Sequence, residues 1–189
     1  SGTPFAADNC FNLLVTAASD FIAPRLAYLN VNQSGDALDD ADIKAAFKPN
    51  LLPQPYAAPK ENAFYVAGLD LGIRHDHSAL LVLRCDRNTL QLRMVEAKTW
   101  KPNTTTGKVD LIAVEEAIIS AHQRYQLKTL GYDPYQAALM AQRLERQKVP
   151  VQEMTFTGAN LNLMATTLLE VFRIRRLELY PHPTLTRDL

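Results

Sequence analysis

The stretch from Phe64 to Cys85, FYVAGLDLGIRHDHSALLVLRC, constrains this chain more than any other. Two apolar runs flank a polar turn, which predicts strand, turn, strand over Tyr65–Leu71 and Ala79–Arg84. Asp70 stands at the end of the first run, with Gly72 where the backbone must turn. Aspartate is depleted in strands because its carboxylate prefers water or local backbone partners. An Asp between Leu69 and Leu71 therefore either ends a strand in a turn or holds a cation.

The pattern downstream is regular. Asp86–Asn88 supply turn residues, and Leu90–Trp100 reads as a third strand closing an antiparallel meander. Asp110 can cap a helix over Leu111–Tyr125, whose apolar stripe runs through Leu111, Val114, Ile118, Ala121 and Tyr125. Thr129–Asp133 is a short strand, and Pro134 starts a helix over Tyr135–Gln147. A strand at Val151–Phe156, a helix at Leu161–Phe172 and an extended piece at Arg176–Tyr180 follow. A meander followed by alternating helix and strand describes an α/β fold, a mixed sheet with helices on its faces. Strands one and four can then lie side by side, with Asp70 and Asp133 at their carboxyl ends, where ligands collect in open α/β sheets.

Residues 1–60 read differently. Phe11, Leu14, Val15, Ala18, Phe21 and Ile22 recur at helical spacing until Pro24, and Asp39–Phe47 has the signals of a short capped helix. Pro49, Pro53, Pro55 and Pro59 then make the chain extended and unfit for a sheet interior. The expected organisation is an arm or linker over 1–60 leading into a domain over 61–189.

Apolar residues make up 47% of the 189, enough for a core. Lys plus Arg equals Asp plus Glu at 20 each, so no global field draws the chain to nucleic acid. DNA contacts would need local clusters, and Arg143, Arg146 and Lys148 form one, Arg173, Arg175 and Arg176 another. Either cluster also suits a solvated helix face. Cys10 and Cys85 lack metal-ligand spacing, which points to reduced thiols in a cytoplasmic protein. No apolar run is long enough to span a bilayer.

Two carboxylates on neighbouring strand ends repel unless a cation lies between them. Oxygen ligands without His or Cys clusters suit Mg²⁺ or Mn²⁺, the ions of two-metal phosphoryl transfer in ribonuclease H-like folds. Asp76, in the turn after Asp70, is a further candidate ligand or a plain turn residue. His75 and His77 read as exposed turn residues, Ser78 as structural, and Trp100 and Tyr132 as core rings rather than base-stacking ones.

The order of these motifs resembles the nuclease domain of the large terminase subunit of tailed phages. The matching residues are Asp70-Leu71-Gly72, then Asp76-His77-Ser78-Ala79, then Asp133-Pro134-Tyr135-Gln136-Ala137. The resemblance covers 62–189 and implies a ribonuclease H-like endonuclease that cuts double-stranded DNA during genome packaging. It implies a two-metal site with Asp70 and Asp133 as catalytic ligands, in the host cytoplasm, beside an ATPase motor, a portal and a small terminase subunit. The chain has no G-x-x-x-x-G-K-[ST] segment, so it is not itself the motor. The segment LNVNQSGD after Arg25-Leu26 resembles the connection that leaves the motor. In the family a third acid follows the HP-x-L segment, here His182-Pro183-Thr184-Leu185, after which only Asp188 remains. The resemblance therefore implies a domain cut short at its carboxyl end, with an incomplete site that is weakly active or inactive.

Two other classes compete. Actin-like and sugar-kinase ATPases also begin with a Gly-x-Asp-x-Gly strand, but IRHDHSA does not look like their phosphate loop. A ribonuclease H-like module that only binds DNA or a partner is the other.

Overall fold

The computed structural model describes residues 39–54, 62–72, 77–155, 158–183 and 185. Six strands form one sheet: β1 (Ala63–Asp70), β2 (Ser78–Asp86), β3 (Leu92–Trp100), β4 (Thr129–Tyr132), β5 (Val151–Glu153) and β6 (Leu177–Glu178). Their spatial order is β5-β4-β1-β2-β3-β6. The first three make the expected antiparallel meander. β4 joins β1 in parallel, β5 joins β4 in parallel, and β6 joins β3 in parallel. With helices on both faces, this is the ribonuclease H-like arrangement.

Each face of the sheet has its own core. Alternate β1 residues Phe64 and Val66, with Ala79, Leu81 and Leu83 of β2, pack against helices α1 (Asp40–Ala46) and α4 (Gly158–Arg173). Tyr65, Ala67 and Leu69, with Leu80 and Val82, pack against α2 (Leu111–Tyr125) and α3 (Pro134–Arg146). Coverage on both faces explains why β1 and β2 read as continuous apolar runs rather than alternating ones. Each Leu or Val buried this way contributes roughly 1.5–3 kcal/mol before entropy is counted.

Local chemistry sets the ends of the elements. Asp110 Oδ1 accepts from the N–H groups of Ile112 and Ala113 and starts α2. β3 begins at Leu92 rather than Leu90, because Leu90 adopts a left-handed φ of 59° in the preceding turn. That turn is built on Asp86, whose Oδ1 accepts from Asn88 and Thr89 N–H. β5 and β6 are shorter than the sequence suggests, and they stand at the two ends of the strand order. In β3 the register with β2 shifts so that Val82 faces Glu96 and Leu83 faces Met94, leaving Val95 as an extra residue in a bulge.

The described part of the 1–60 segment, residues 39–54, is packed onto this sheet. Ala46 and Phe47 run beside Leu179: Lys48 N–H donates to Leu179 O at 2.8 Å, and Leu179 N–H to Ala46 O at 2.9 Å. Farther on, Gln54 N–H caps the carbonyl of the bulged Val95 at 2.9 Å, and Tyr125 Oη donates to Gln54 O at 2.8 Å. The segment thus covers part of the outer edge of β3, which β6 pairs only at Leu92 and Arg93.

Residues of the second basic cluster serve these junctions. Arg176 donates to Thr89 O, and Arg175 lies 3.7 Å from Asp42 of α1. Cys85 is a free thiol in the core, and burial pushes its pKa up to about 12. Cys10 lies outside the described residues. Among the described residues no helix is long and apolar enough to cross a membrane.

Candidate metal centre

Parallel pairing decides where the two acids stand. β1 and β4 match Ala67 with Leu130, Gly68 with Gly131 and Leu69 with Tyr132. One residue past this register stand Asp70, the last residue of β1, and Asp133, the first residue after β4. Leu69 and Tyr132 are buried on the α2–α3 face. By strand alternation Asp70, one step on from Leu69 in β1, belongs to the α4 face. Ala79, the partner of Asp70 on β2, belongs to the core of that same face.

The Asp-Pro sequence sets the backbone at Asp133. A residue before proline is held away from the helical region. Asp133 accordingly stays extended at φ −81° and ψ 122°, just past β4. Pro134 then enters α3 at a position that needs no N–H. Asp133 Oδ1 accepts from Tyr135 N–H at 3.0 Å. This N-cap fixes the carboxylate by one oxygen and leaves Oδ2 for another partner. Asp70 and Asp133 are both half-buried.

The turn after Asp70 is pinned from behind. Ser78 is fully buried, and its hydroxyl both accepts from Gly72 N–H at 3.1 Å and donates to Gly72 O at 2.9 Å. Residues 73–76, with the candidate Asp76 and with His75, lie outside the described residues. His77 is exposed. Ser78 is structural, as its sequence context suggests, but the structure it holds is the exit from the Asp70 strand.

Other candidates fall elsewhere. Tyr132 is buried and its hydroxyl donates to Glu153 Oε1 at 3.1 Å; burial and then this carboxylate push its pKa up to about 12. Trp100 is half-buried against the α2–α3 core. Tyr132 thus packs in the core, while Trp100 packs against it and stays partly exposed. Arg143, Arg146 and Lys148 sit at the far end of α3 from Asp133, about 20 Å along a 13-residue helix. Arg143 is paired there with Glu115 of α2 at 3.1 Å. Among the described residues no group of three or more His, Cys, Asp or Glu could hold a metal. Leu185 is buried in the α4-side core, and Asp188 beyond it lies outside the described residues.

Sequence reasoning missed a second charged cluster, for which only the lone Glu in an apolar strand was a signal. Glu96, brought to the α2–α3 face beside the bulge, is 7% exposed and bonds Arg124 at 2.9 Å, with Lys98 at 3.2 Å. Burial alone would raise its pKa, but the hydrogen bonds and charges of its partners outweigh burial and hold it below the usual carboxylate range. The cluster lines a cleft of about 400 Å³ with Pro53, Ser120, Tyr125 and Tyr180.

No family model matches the chain, and no curated protein matches it. Solved structures match it in fold. The large terminase of bacteriophage HK97 superposes with a TM-score of 0.64 at 16% identity, over 90% of this chain and 40% of that one. The large terminase of a thermophilic bacteriophage, solved in complex with ADP, gives 0.58 at 12% identity, over 76% of this chain and 33% of that one. The large terminase nuclease of thermophilic phage G20c with bound magnesium gives 0.53 at 14% identity, over 77% and 75%. The same nuclease has also been solved with bound zinc. The chain thus spans about two fifths of the HK97 protein, and at these identities the likeness is one of fold.

Proposed function

We propose that this chain is a terminase-type nuclease domain, a metal-dependent endonuclease that cuts double-stranded DNA during phage genome packaging. The observation that carries this reading is the parallel pairing of β1 with β4, whose neighbouring carboxyl ends lead into Asp70 and Asp133. Two half-buried acids on neighbouring strand ends would fit a hard divalent cation such as Mg²⁺ or Mn²⁺. Asp70 and Asp133 would hold it, with Asp76 as the proposed third ligand and Asp188 the alternative. Two such ions, when bound, make a water nucleophilic at neutral pH and stabilise the leaving oxygen.

The protein's own part is position. The helix cap holds Asp133, and Ser78 holds the strand exit that carries Asp70. The reaction is hydrolysis: a water oxygen bonds to phosphorus, one phosphate ester bond breaks, and the leaving oxygen takes a proton. Phosphate contacts carry no sequence information, so little base preference is expected. The proposed partners are duplex DNA, an ATPase motor, a portal and a small terminase subunit, in the host cytoplasm.

A second reading has one observation in its favour. The described residues supply two acids at this point, which also suits a DNA-binding module without catalysis. Nicking of supercoiled plasmid in Mn²⁺ separates the two. The nuclease reading expects cutting that falls at least a hundredfold in Asp70→Asn and in Asp133→Asn. Cutting that survives both substitutions contradicts the site.

A further inference from the structure

One face of α3 is exposed along its length, with only Arg143 paired to a neighbouring element among the described residues, and begins at the candidate metal centre. Tyr135 is 90% exposed and Leu139 is 72% exposed. At 100° per residue, Tyr135, Leu139, Gln142, Arg143 and Arg146 fall within an arc of about 100°. The buried Ala137, Met140, Ala141 and Leu144 occupy the opposite arc, against the sheet. The helix carries a single acid, Glu145, which lies off the exposed arc, and Lys148 continues the basic end just past the helix. A large ring and a leucine left in water are not explained by core packing, and such a patch rimmed by charge marks an interaction surface.

We propose that this face is the track on which duplex DNA lies, and that Tyr135 is the residue that sets the DNA against the acids. The inference rests on the nuclease reading for its substrate, but stands on two separate observations. One is continuity: the Tyr135 N–H is bonded to Asp133 Oδ1 at 3.0 Å, so the exposed ring starts one helical turn or less from the candidate metal ligand. The other is charge: the arc passes from apolar at that end to cationic at the other, which complements a polyanion. Tyr135 and Leu139 lie against deoxyribose near the phosphate to be cut. Arg146 and Lys148 hold phosphates about 20 Å away, roughly six base steps along a strand. Arg143 contributes less because Glu115 already pairs with it. The chain as a whole carries no net charge, so this local run is the means by which a neutral protein holds DNA.

Fluorescence anisotropy with a labelled 20-base-pair duplex in metal-free buffer tests this without cutting. Tyr135→Ala is expected to weaken binding roughly tenfold, while Tyr135→Trp retains it. Arg146→Ala and Lys148→Ala are each expected to weaken binding for any sequence and to lower the salt slope by about 1. Arg175→Ala, beside α1, leaves binding unchanged. The substituted side chains are exposed, so the variants keep the fold, and a thermal melt checks this. Unchanged affinity in Tyr135→Ala and Arg146→Ala overturns the proposal, even where plasmid cutting still depends on Asp70. A self-association in sedimentation that Tyr135→Ala abolishes, with DNA affinity intact, overturns it too and assigns the face to a second copy. Weakened binding in these variants with cutting insensitive to Asp70 and Asp133 keeps the track and removes the nuclease site.

Discussion

Ser78→Ala removes one oxygen atom and should affect both the fold and the metal centre. Ser78 is fully buried, and its hydroxyl satisfies both the N–H and the carbonyl of Gly72, which is itself buried. Deleting it leaves a buried donor and a buried acceptor without their partner, at roughly 1–3 kcal/mol each. The lower half of that range, taken for both groups, gives an expected loss of about 2–4 kcal/mol. For a domain of this size, that lowers the melting temperature by roughly 5–15 °C. Ser78→Thr keeps the hydroxyl and should recover most of the loss, since a β-branched residue suits a strand. Thermal melts measure the first effect. Mn²⁺ titration at a temperature where both proteins are folded measures the second, with at least a severalfold loss of affinity expected as the Asp70 strand exit loosens. A Ser78→Ala protein within about 0.5 kcal/mol of the parent in stability would refute the clamp. A fully destabilised variant with unchanged metal affinity when folded would separate the clamp from the site.

Further outcomes follow from other parts of the fold. Arg124→Ala strips the main partner from the buried Glu96 and should cost about 2–4 kcal/mol in denaturant unfolding, more than an exposed ion pair would. Glu96 has a folded-state pKa below its unfolded value, so its contribution is present above the unfolded pKa and is lost as pH falls through the folded one. Glu96→Gln should therefore flatten the acid limb of a stability–pH curve below about pH 4.5, and an unchanged limb would contradict it. Cys85, with its thiol pushed up to about 12, should resist iodoacetamide at pH 8 in the native protein and react once unfolded, as mass spectrometry would show.

Much of the sheet was legible because its signals are local. Apolar runs at Tyr65–Leu71 and Ala79–Arg84 mark strands, Asp110 reads as a helix start because Asp is a strong N-cap, and Pro134 reads as one because its fixed φ suits a first turn. That β1 and β4 are neighbours was legible only through topology, since nothing in either segment alone says so. Asp133 stays extended just past β4 because Pro134 follows it. What the sequence hid is long-range. The prolines at 49 and 53 suggested a linker, yet residues 39–54 find partners at Leu179 and Val95, far along the chain. The bulge that sends Glu96 toward Arg124 has no local signature, since Val95 and Glu96 fit a regular strand as well. The exposure of Tyr135 could be read only once the buried arc of α3 was known.

The central claim is that Asp70 and Asp133 share one divalent cation. Calorimetric titration of Mn²⁺ into the protein and into Asp70→Asn, Asp133→Asn and Asp110→Asn variants tests it most directly. The account predicts measurable binding in the parent, at least a tenfold loss in each of the first two variants, and no loss in the third, whose carboxylate only caps α2. Unchanged Mn²⁺ affinity in Asp70→Asn or Asp133→Asn would contradict it.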